Sequence, residues 1–562
     1  MNTVWRVRPM TEGVNESVIG VPALISRVLI TRGIVGDARE KFLSPEYLRD
    51  LGNPLYILEL PKALEIIAEH ISKGSKILVH GDYDVDGITS SLVLKSTLQH
   101  LGAKVSHILP TRDQGYGMNK HSVEFIKKEK FDLVITVDCG IRDHEAIEEL
   151  KKENIEVVVT DHHQVGESIP KASAVVDTSR PDETYEFRNF CGAGVAFKLS
   201  QALLARLKPD IVFEKQLLDL VALGTLADMM QLIGENRAIV KFGILMMAIN
   251  KRPGIQALAE LSNTELNTIS AMDCGFRIIP YLNAAGRLED PEIAFQLLAA
   301  PDLATAREYA KKLHEINTTR KDLTKNAFEA ISAGVTDEHS VIFEASNEWP
   351  RGIAGLIANR LTEAFARPSL VIELTEEHGI GSARSVEGVN ITKVLERASE
   401  HLVVFGGHKE AAGFTVKKER LELFKNDIIK YIEEERNVEV LEKEILADTE
   451  CSFSEISVNV LDWLKRLAPF GEGNDEPIFL TRNVTLTDIK MVGQQQNHAK
   501  FCFTDDAKVT MKGIAFSHPE YATLHLGEKY DILYSLRENI WNGRRYIDLS
   551  LIDLKESKPH DI

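Results

Sequence analysis

Residues 80–90 read His-Gly-Asp-Tyr-Asp-Val-Asp-Gly-Ile-Thr-Ser, so three carboxylates, Asp82, Asp84 and Asp86, alternate within five residues. Carboxylates this close repel one another unless cations compensate, and their oxygens suit hard divalent ions such as Mg²⁺ and Mn²⁺. The triplet follows the apolar run Ile77–Val79. Three later segments share that design: Phe131 to Asp138 ends in an aspartate, Ile155 to Asp161 runs into His162-His163, and Asp228 closes the apolar stretch from Leu223. Taken singly, each is an ordinary strand-end cap or turn. In an open parallel sheet, however, functional groups gather outside the carboxyl ends of strands. Several such ends together could hold two cations roughly 4 Å apart, the spacing that clamps the attacking and leaving oxygens of a phosphoryl displacement.

The surrounding pattern supplies such a sheet. Apolar strands near 76–80, 104–109, 132–137, 155–160 and 174–176 alternate with amphipathic helices near 88–101, 121–129 and 143–153. This alternation predicts α/β architecture, a parallel sheet with helices on both faces. Helices continue through about residue 250, with Asp228 among them. Residues 302–333 read as one long helix, with Ala306, Tyr309, Leu313, Ile316, Leu323 and Ile331 close to a 3.6 period. Its Arg307, Lys311, Lys312, Arg320, Lys321 and Lys325 are plainly read as a solvated face, and functionally as one side of a DNA groove. A second α/β lobe follows, with strands near 340–343 and 369–373 and a helix near 352–364. Five short strands after Glu442 predict a C-terminal OB-type β-barrel. The expected domains are a helical N-terminal extension at 1–72, the first lobe at 73–290, a connecting helix at 291–335, the second lobe at 336–438 and the barrel at 439–562.

Composition sets the class. The chain has 562 residues, 44% hydrophobic and 27% charged, as expected of a globular protein of several domains. No apolar run reaches the ~18–20 residues of a membrane span, and Met-Asn-Thr-Val-Trp-Arg carries no secretory core. Five scattered cysteines without a C-x-x-C pair argue against a disulfide framework or structural zinc. A cytoplasmic protein is expected. A net charge of −18 argues against broad electrostatic binding of duplex DNA, not against a local basic groove.

Asp161-His162-His163, with the acidic triplet upstream, resembles the DHH phosphoesterase superfamily and, within it, the RecJ-type single-strand-specific exonucleases. The resemblance covers nearly the whole chain. Arg32-Gly33 and Phe42-Leu-Ser-Pro45 resemble that family's N-terminal extension. Gly381-Ser-Ala-Arg384-Ser385 and Phe405-Gly-Gly-His408 to Gly413 resemble the associated DHHA1 domain, and Pro469-Phe-Gly-Glu-Gly-Asn474 with Asn539-Ile-Trp541-Asn-Gly543 its OB domain.

The resemblance implies 5′→3′ exonuclease activity on single-stranded DNA in repair and recombination, with 5′-mononucleotides as products and two Mn²⁺ or Mg²⁺ ions as cofactors. It assigns Asp84, Asp86, Asp138, His162 and Asp228 as metal ligands, with Asp138 bridging and Asp82 either ligating or standing behind the ligands. His163 has the catalytic role. Adjacent side chains on an extended segment point opposite ways, so His162 is expected to face metal and His163 substrate. His80 reads equally well as a ligand and as a satisfied loop histidine. Arg112 and Tyr116 are expected to hold a phosphate and stack a base. Asn283 and Arg287 should line the groove. Ser382, Arg384 and Ser385, at a glycine turn, suit a terminal phosphate, and His408 lies where backbone could approach a strand. In the barrel, Lys490, Lys500, Lys508 and Lys512 are weaker candidates, and Phe516 and Trp541 are candidate stacking platforms, Trp541 being core by default.

Two segments depart from the family pattern: Pro280-Tyr281, where relatives carry Pro-Arg, and Trp349-Pro350-Arg351-Gly352, where they carry Trp-His-Pro-Gly. A phosphate contact is expected to be lost or moved to Arg351, and such drift suits a divergent or mobile-element member. A helicase and a single-strand-binding protein are implied partners, and a monomer is expected. The competing readings are a DHH phosphodiesterase of short oligonucleotides or small nucleotides, and a non-catalytic DHH scaffold of a replication complex. Retention of every acidic motif and the added barrel speak against both.

Overall fold

The computed structural model describes residues 3–10, 20–336, 339–435, 444–493 and 496–557. The first sheet has five parallel strands in the order Lys104–Ile108, Lys76–His80, Leu133–Val137, Glu156–Asp161, Ala174–Asp177. The central strands are buried on both faces, which is why they read as unbroken apolar runs. In chain order the strands are arranged 2-1-3-4-5, and the order reverses between Lys76–His80 and Leu133–Val137. Connections leave these two strands toward opposite sides, opening a crevice at their carboxyl ends. The acidic triplet and Asp138 begin where these two strands end.

The helix expected near 88–101 spans Val85–His100, and its start is fixed by chemistry rather than by apolar period. Asp84 is its N-cap, accepting the backbone N–H groups of Asp86 and Gly87 at 3.0 and 3.1 Å. A Cβ on Gly87 would stand 2.6 Å from the Asp82 backbone, so this turn admits only glycine. The long helix spans Leu303–Ser332. The second sheet is mixed: Ile342–Ser346 and Ser369–Leu374 are parallel, whereas His378–Arg384, Ala411–Lys417 and Leu402–Gly407 pair antiparallel.

The C-terminal strands Phe479–Val492, His498–Thr504, Thr510–Ala515, Arg544–Glu556 and Lys529–Trp541 close on themselves through pairing of the first with the last. By contact the chain divides into two compact units: the described residues of Gly52–Met230 with Glu235–Leu441, and those of Met1–Leu51, Gln231–Gly234 and Glu442–Ile562. The helical extension expected at 1–72 thus has another organisation. Val4–Val7 is a strand paired with Glu444–Ala447. Helix Ala23–Thr31 buries Leu24, Ile25, Val28 and Leu29 in the barrel core, against residues such as Phe453 and Leu461. One short amphipathic helix cannot bury its apolar face alone, and its partner lies some four hundred residues away in sequence. The boundary expected at 438/439 lies outside the described residues.

Trp541 is not core: it is 67% exposed. Lys529–Trp541 and Arg544–Glu556 form a long hairpin in which Trp541 lies opposite Arg544 and Asn539 opposite Tyr546. The other face, with Glu538 and Arg545, is tied to helix Val458–Leu467 through Lys465 and Asp462. The aromatic tip therefore stays in solvent.

Candidate metal centre and nucleic-acid cleft

At the switch point, Asp82, Asp84 and Asp138 bring one carboxylate oxygen each within 4.8 Å of one another, and Asp86, His162 and Asp228 likewise bring together two carboxylate oxygens and an imidazole nitrogen. The groups abut, because His162 Nε2 lies 3.0 Å from Asp138 Oδ1 and 3.8 Å from both Asp86 and Asp228. The six residues come from the turn after Lys76–His80, the ends of Leu133–Val137 and Glu156–Asp161, and the end of helix Leu218–Ala227. Asp86 is further held by the N-terminus of helix Gly192–Leu207, where the Gly192 and Ala193 N–H groups donate to it at 2.6 and 2.9 Å.

The electrostatics are those of an uncompensated acidic nest. Burial and then the charge of Asp84 push Asp82 well above the usual carboxylate range, and burial with Asp86 does the same to Asp138. Asp84 is raised for the same reasons, and Asp228 to about 8. Burial lowers His162. Asp82 is 3% exposed, and its Oδ1 is buried without a hydrogen-bond partner. Oxygen donors supplemented by one imidazole, with an orphaned buried carboxylate oxygen among them, are the donor set a hard divalent cation takes. The residues therefore fit such ions.

His163 does not point away from His162. The two ring centroids are 4.3 Å apart. The strand ends at Asp161, so the alternation of extended chain no longer applies. Asp161 turns both histidines: its Oδ1 accepts the N–H groups of His162 and His163 and lies 2.7 Å from His163 Nδ1. Burial opposes a charged His163, but the Asp161 hydrogen bond and surrounding carboxylates push it up to about 9. Asp161 was not among the expected site residues, although the motif contains it, because a wholly buried aspartate at a strand end reads as a cap. Asp177, its register partner on the next strand, was also missed; burial and the Asp161 charge raise it to about 7. His80 is wholly buried, bonded to Ser122 at 2.9 Å, and belongs to neither ligand group.

Arg112, Asn283 and Arg287 line one cleft with Asp84, Asp86 and Asp228. Arg112 lies over the Tyr83 ring at 4.2 Å and donates to the Gly286 carbonyl. Asn283 accepts the Val85 N–H at 3.3 Å. Arg287 donates to the Gly352 carbonyl at 3.1 Å; burial and the nearby Arg112, Arg320 and Arg384 lower it to about 10. Ser382 and Arg384 belong to a central strand of the second sheet, not to a turn, and Arg384 donates to the Ser382 hydroxyl at 3.1 Å. Ser385, just beyond, donates to the Val389 carbonyl. His408 is exposed at the sheet's edge. Tyr116 does not project freely: its hydroxyl bonds within the metal centre, although the residue stays 44% exposed.

Of the departures, Arg351 is spent on the Arg112 carbonyl and the Asp113 carboxylate. Tyr281 stacks on His314 of the long helix, with centroids 6.0 Å apart. No described helix is long and apolar enough to cross a membrane. In the barrel Lys490, Lys500, Lys508 and Lys512 are all exposed, and Lys490 faces Lys500 in register.

Family models match three stretches: the DHH family N-terminal domain at residues 76–225, the DHHA1 domain at 338–434 and the RecJ OB domain at 447–553. The single-stranded-DNA-specific exonuclease RecJ of Bacillus subtilis is 32% identical over 98% of this chain and 70% of its own. Crystal structures of Thermus thermophilus RecJ are similar throughout. The complex with Mn²⁺ has a TM-score of 0.85 at 30% identity, covering 99% of this chain and 80% of that one. The complex with Mg²⁺ has a TM-score of 0.80 at 28% identity, covering 99% and 79%. Likeness at this level runs through the switch-point lobe, the mixed-sheet lobe and the barrel alike, and the chain belongs to the RecJ family of single-stranded-DNA-specific exonucleases.

Proposed function

We propose that the chain is a metal-dependent exonuclease that degrades single-stranded DNA from its 5′ end to 5′-mononucleotides, in DNA repair and recombination. The observation that carries this reading is the pair of abutting ligand groups at the sheet's switch point, in a chain of this family. Asp82, Asp84 and Asp138 would hold one divalent cation and Asp86, His162 and Asp228 the other, Mn²⁺ or Mg²⁺, with Asp138 bordering both. Bound there, the ions supply Lewis acidity and an activated water for in-line hydrolysis of the phosphodiester.

The chain's own side chains do the rest. Asp161 holds the His163 ring by Nδ1, which leaves Nε2 to donate to the leaving 3′-oxygen. Arg112 and Arg287 set positive charge beside the carboxylates, where a scissile phosphate would lie between them, and Asn283 braces the acidic turn. Ser382, Arg384, Ser385 and His408 receive the terminal 5′-phosphate and the strand behind it, which sets polarity. The barrel, with Lys490, Lys500, Lys508 and Lys512 and the exposed Phe516 and Trp541, takes the trailing strand. The lobes, connecting helix and barrel are those read from the sequence, except that the N-terminal helix Ala23–Thr31 belongs with the barrel; a monomer acts in the cytoplasm, and a helicase and a single-strand-binding protein present the strand.

A long 5′-phosphorylated single strand, the same sequence as a duplex, and a dinucleotide are incubated with Mn²⁺ and the products resolved by length. Mononucleotides released processively from the single strand alone are expected. Preferential hydrolysis of the dinucleotide would move the function to small nucleotides.

A further inference from the structure

The Tyr116 hydroxyl touches two parts of the centre at once. It donates to the Asp138 carbonyl at 3.0 Å and lies 3.0 Å from His163 Nδ1. Its ring meets the imidazole edge-on, with centroids 5.5 Å apart. Asp138 has φ of 61°, the left-handed region, which a residue with a Cβ keeps only when its surroundings enforce it. The loop is built to deliver that hydroxyl. Tyr116 stands between Gly115 and Gly117, with φ of 98° and 73°. A Cβ on Gly117 would be 2.7 Å from the Asp143 carboxylate, and that carboxylate accepts the Met118 N–H at 2.7 Å. On the other side, Arg351 of the second lobe donates to the Arg112 carbonyl at 2.8 Å.

The geometry points to Tyr116 as a positioning residue whose hydroxyl latches the Asp138 peptide in its left-handed conformation and holds the His163 ring against Asp161. One side chain then sets the ligand bordering both cation positions and the group facing the leaving oxygen. The His163 Nδ1–H is shared between the Asp161 carboxylate and the Tyr116 oxygen, and the Tyr116 proton goes to the Asp138 carbonyl. This rests on the nuclease reading above. It differs from a base-stacking role, which needs the ring and not the hydroxyl.

Tyr116→Phe keeps the ring and removes the latch. We expect kcat on a long single strand to fall about tenfold or more, as for supports of metal-site residues, with KM unchanged. A parental kcat, or a loss confined to KM, overturns the inference. Should the parental protein itself fail to hydrolyse single strands, the nuclease reading falls separately and Mn²⁺ calorimetry decides this one. Binding about tenfold weaker in Tyr116→Phe supports the latch, and equal affinity removes it.

Discussion

The switch-point lobe and the barrel bury carboxylates on opposite terms. In the barrel unit, Asp448 is 2% exposed, yet Arg32 meets it with two hydrogen bonds of 2.7 and 2.9 Å, and Arg8 and the Ile478 N–H join in. Asp531 is likewise taken up by the Asn483 N–H, Arg482 and Ser557. At the switch point, Asp82, Asp84, Asp138 and Asp228 are pressed together, and among the described residues no Lys or Arg is bonded to them; His162, which meets Asp138 at 3.0 Å, is itself held toward its neutral form by burial. A buried charge that the chain neutralises itself holds structure together. One that it leaves uncompensated is kept for something the chain must bind.

The contrast can be broken most sharply at Asp138 and Asp448. Asp138→Ala is expected to abolish hydrolysis, a fall of at least about a thousandfold, while its melting temperature stays level or rises because a repelling charge has gone. Asp448→Ala should do the reverse. It leaves Arg32 without its main partner and costs about 3 kcal/mol by denaturant titration, with activity per folded molecule retained. Loss of stability in the first, or none in the second, would dissolve the distinction. His163→Ala comes next: about a hundredfold or greater loss of kcat, with single-strand binding by fluorescence anisotropy retained. The smallest effect is expected at Arg384→Ala. The rate ratio between 5′-phosphorylated and 5′-hydroxyl strands should fall about tenfold, the value of one charge-assisted phosphate contact; an unchanged ratio would place end recognition elsewhere.

Much of this was legible before folding. The strand Lys76–His80 lies where its apolar run predicts, and the helix Leu303–Ser332 is within a residue of its period. Local pattern decides such elements, because burial on two faces and a 3.6 repeat each leave a signature in consecutive residues. The candidate ligands too are visible, clustered at or just beyond the ends of apolar runs. What escaped depended on how side chains and strands meet, which the apolar pattern does not encode. Asp161 looks like a cap until two histidine rings are seen turned by it. Ser382 and Arg384 look like a turn because glycine precedes them, but strands pairing on both sides extend the segment. Trp541 looks like core because barrel aromatics usually are, whereas its hairpin places it in solvent.

The sequence alone determined which groups can do chemistry and which strand ends would carry them, since residue type and periodicity are local. Only the tertiary structure decided that the order of strands reverses beside the acidic turn, that both histidines face one side, and that the first helix completes the last domain. Those are matters of which surfaces meet, and burial is settled by the nearest available apolar face, however far away in the chain.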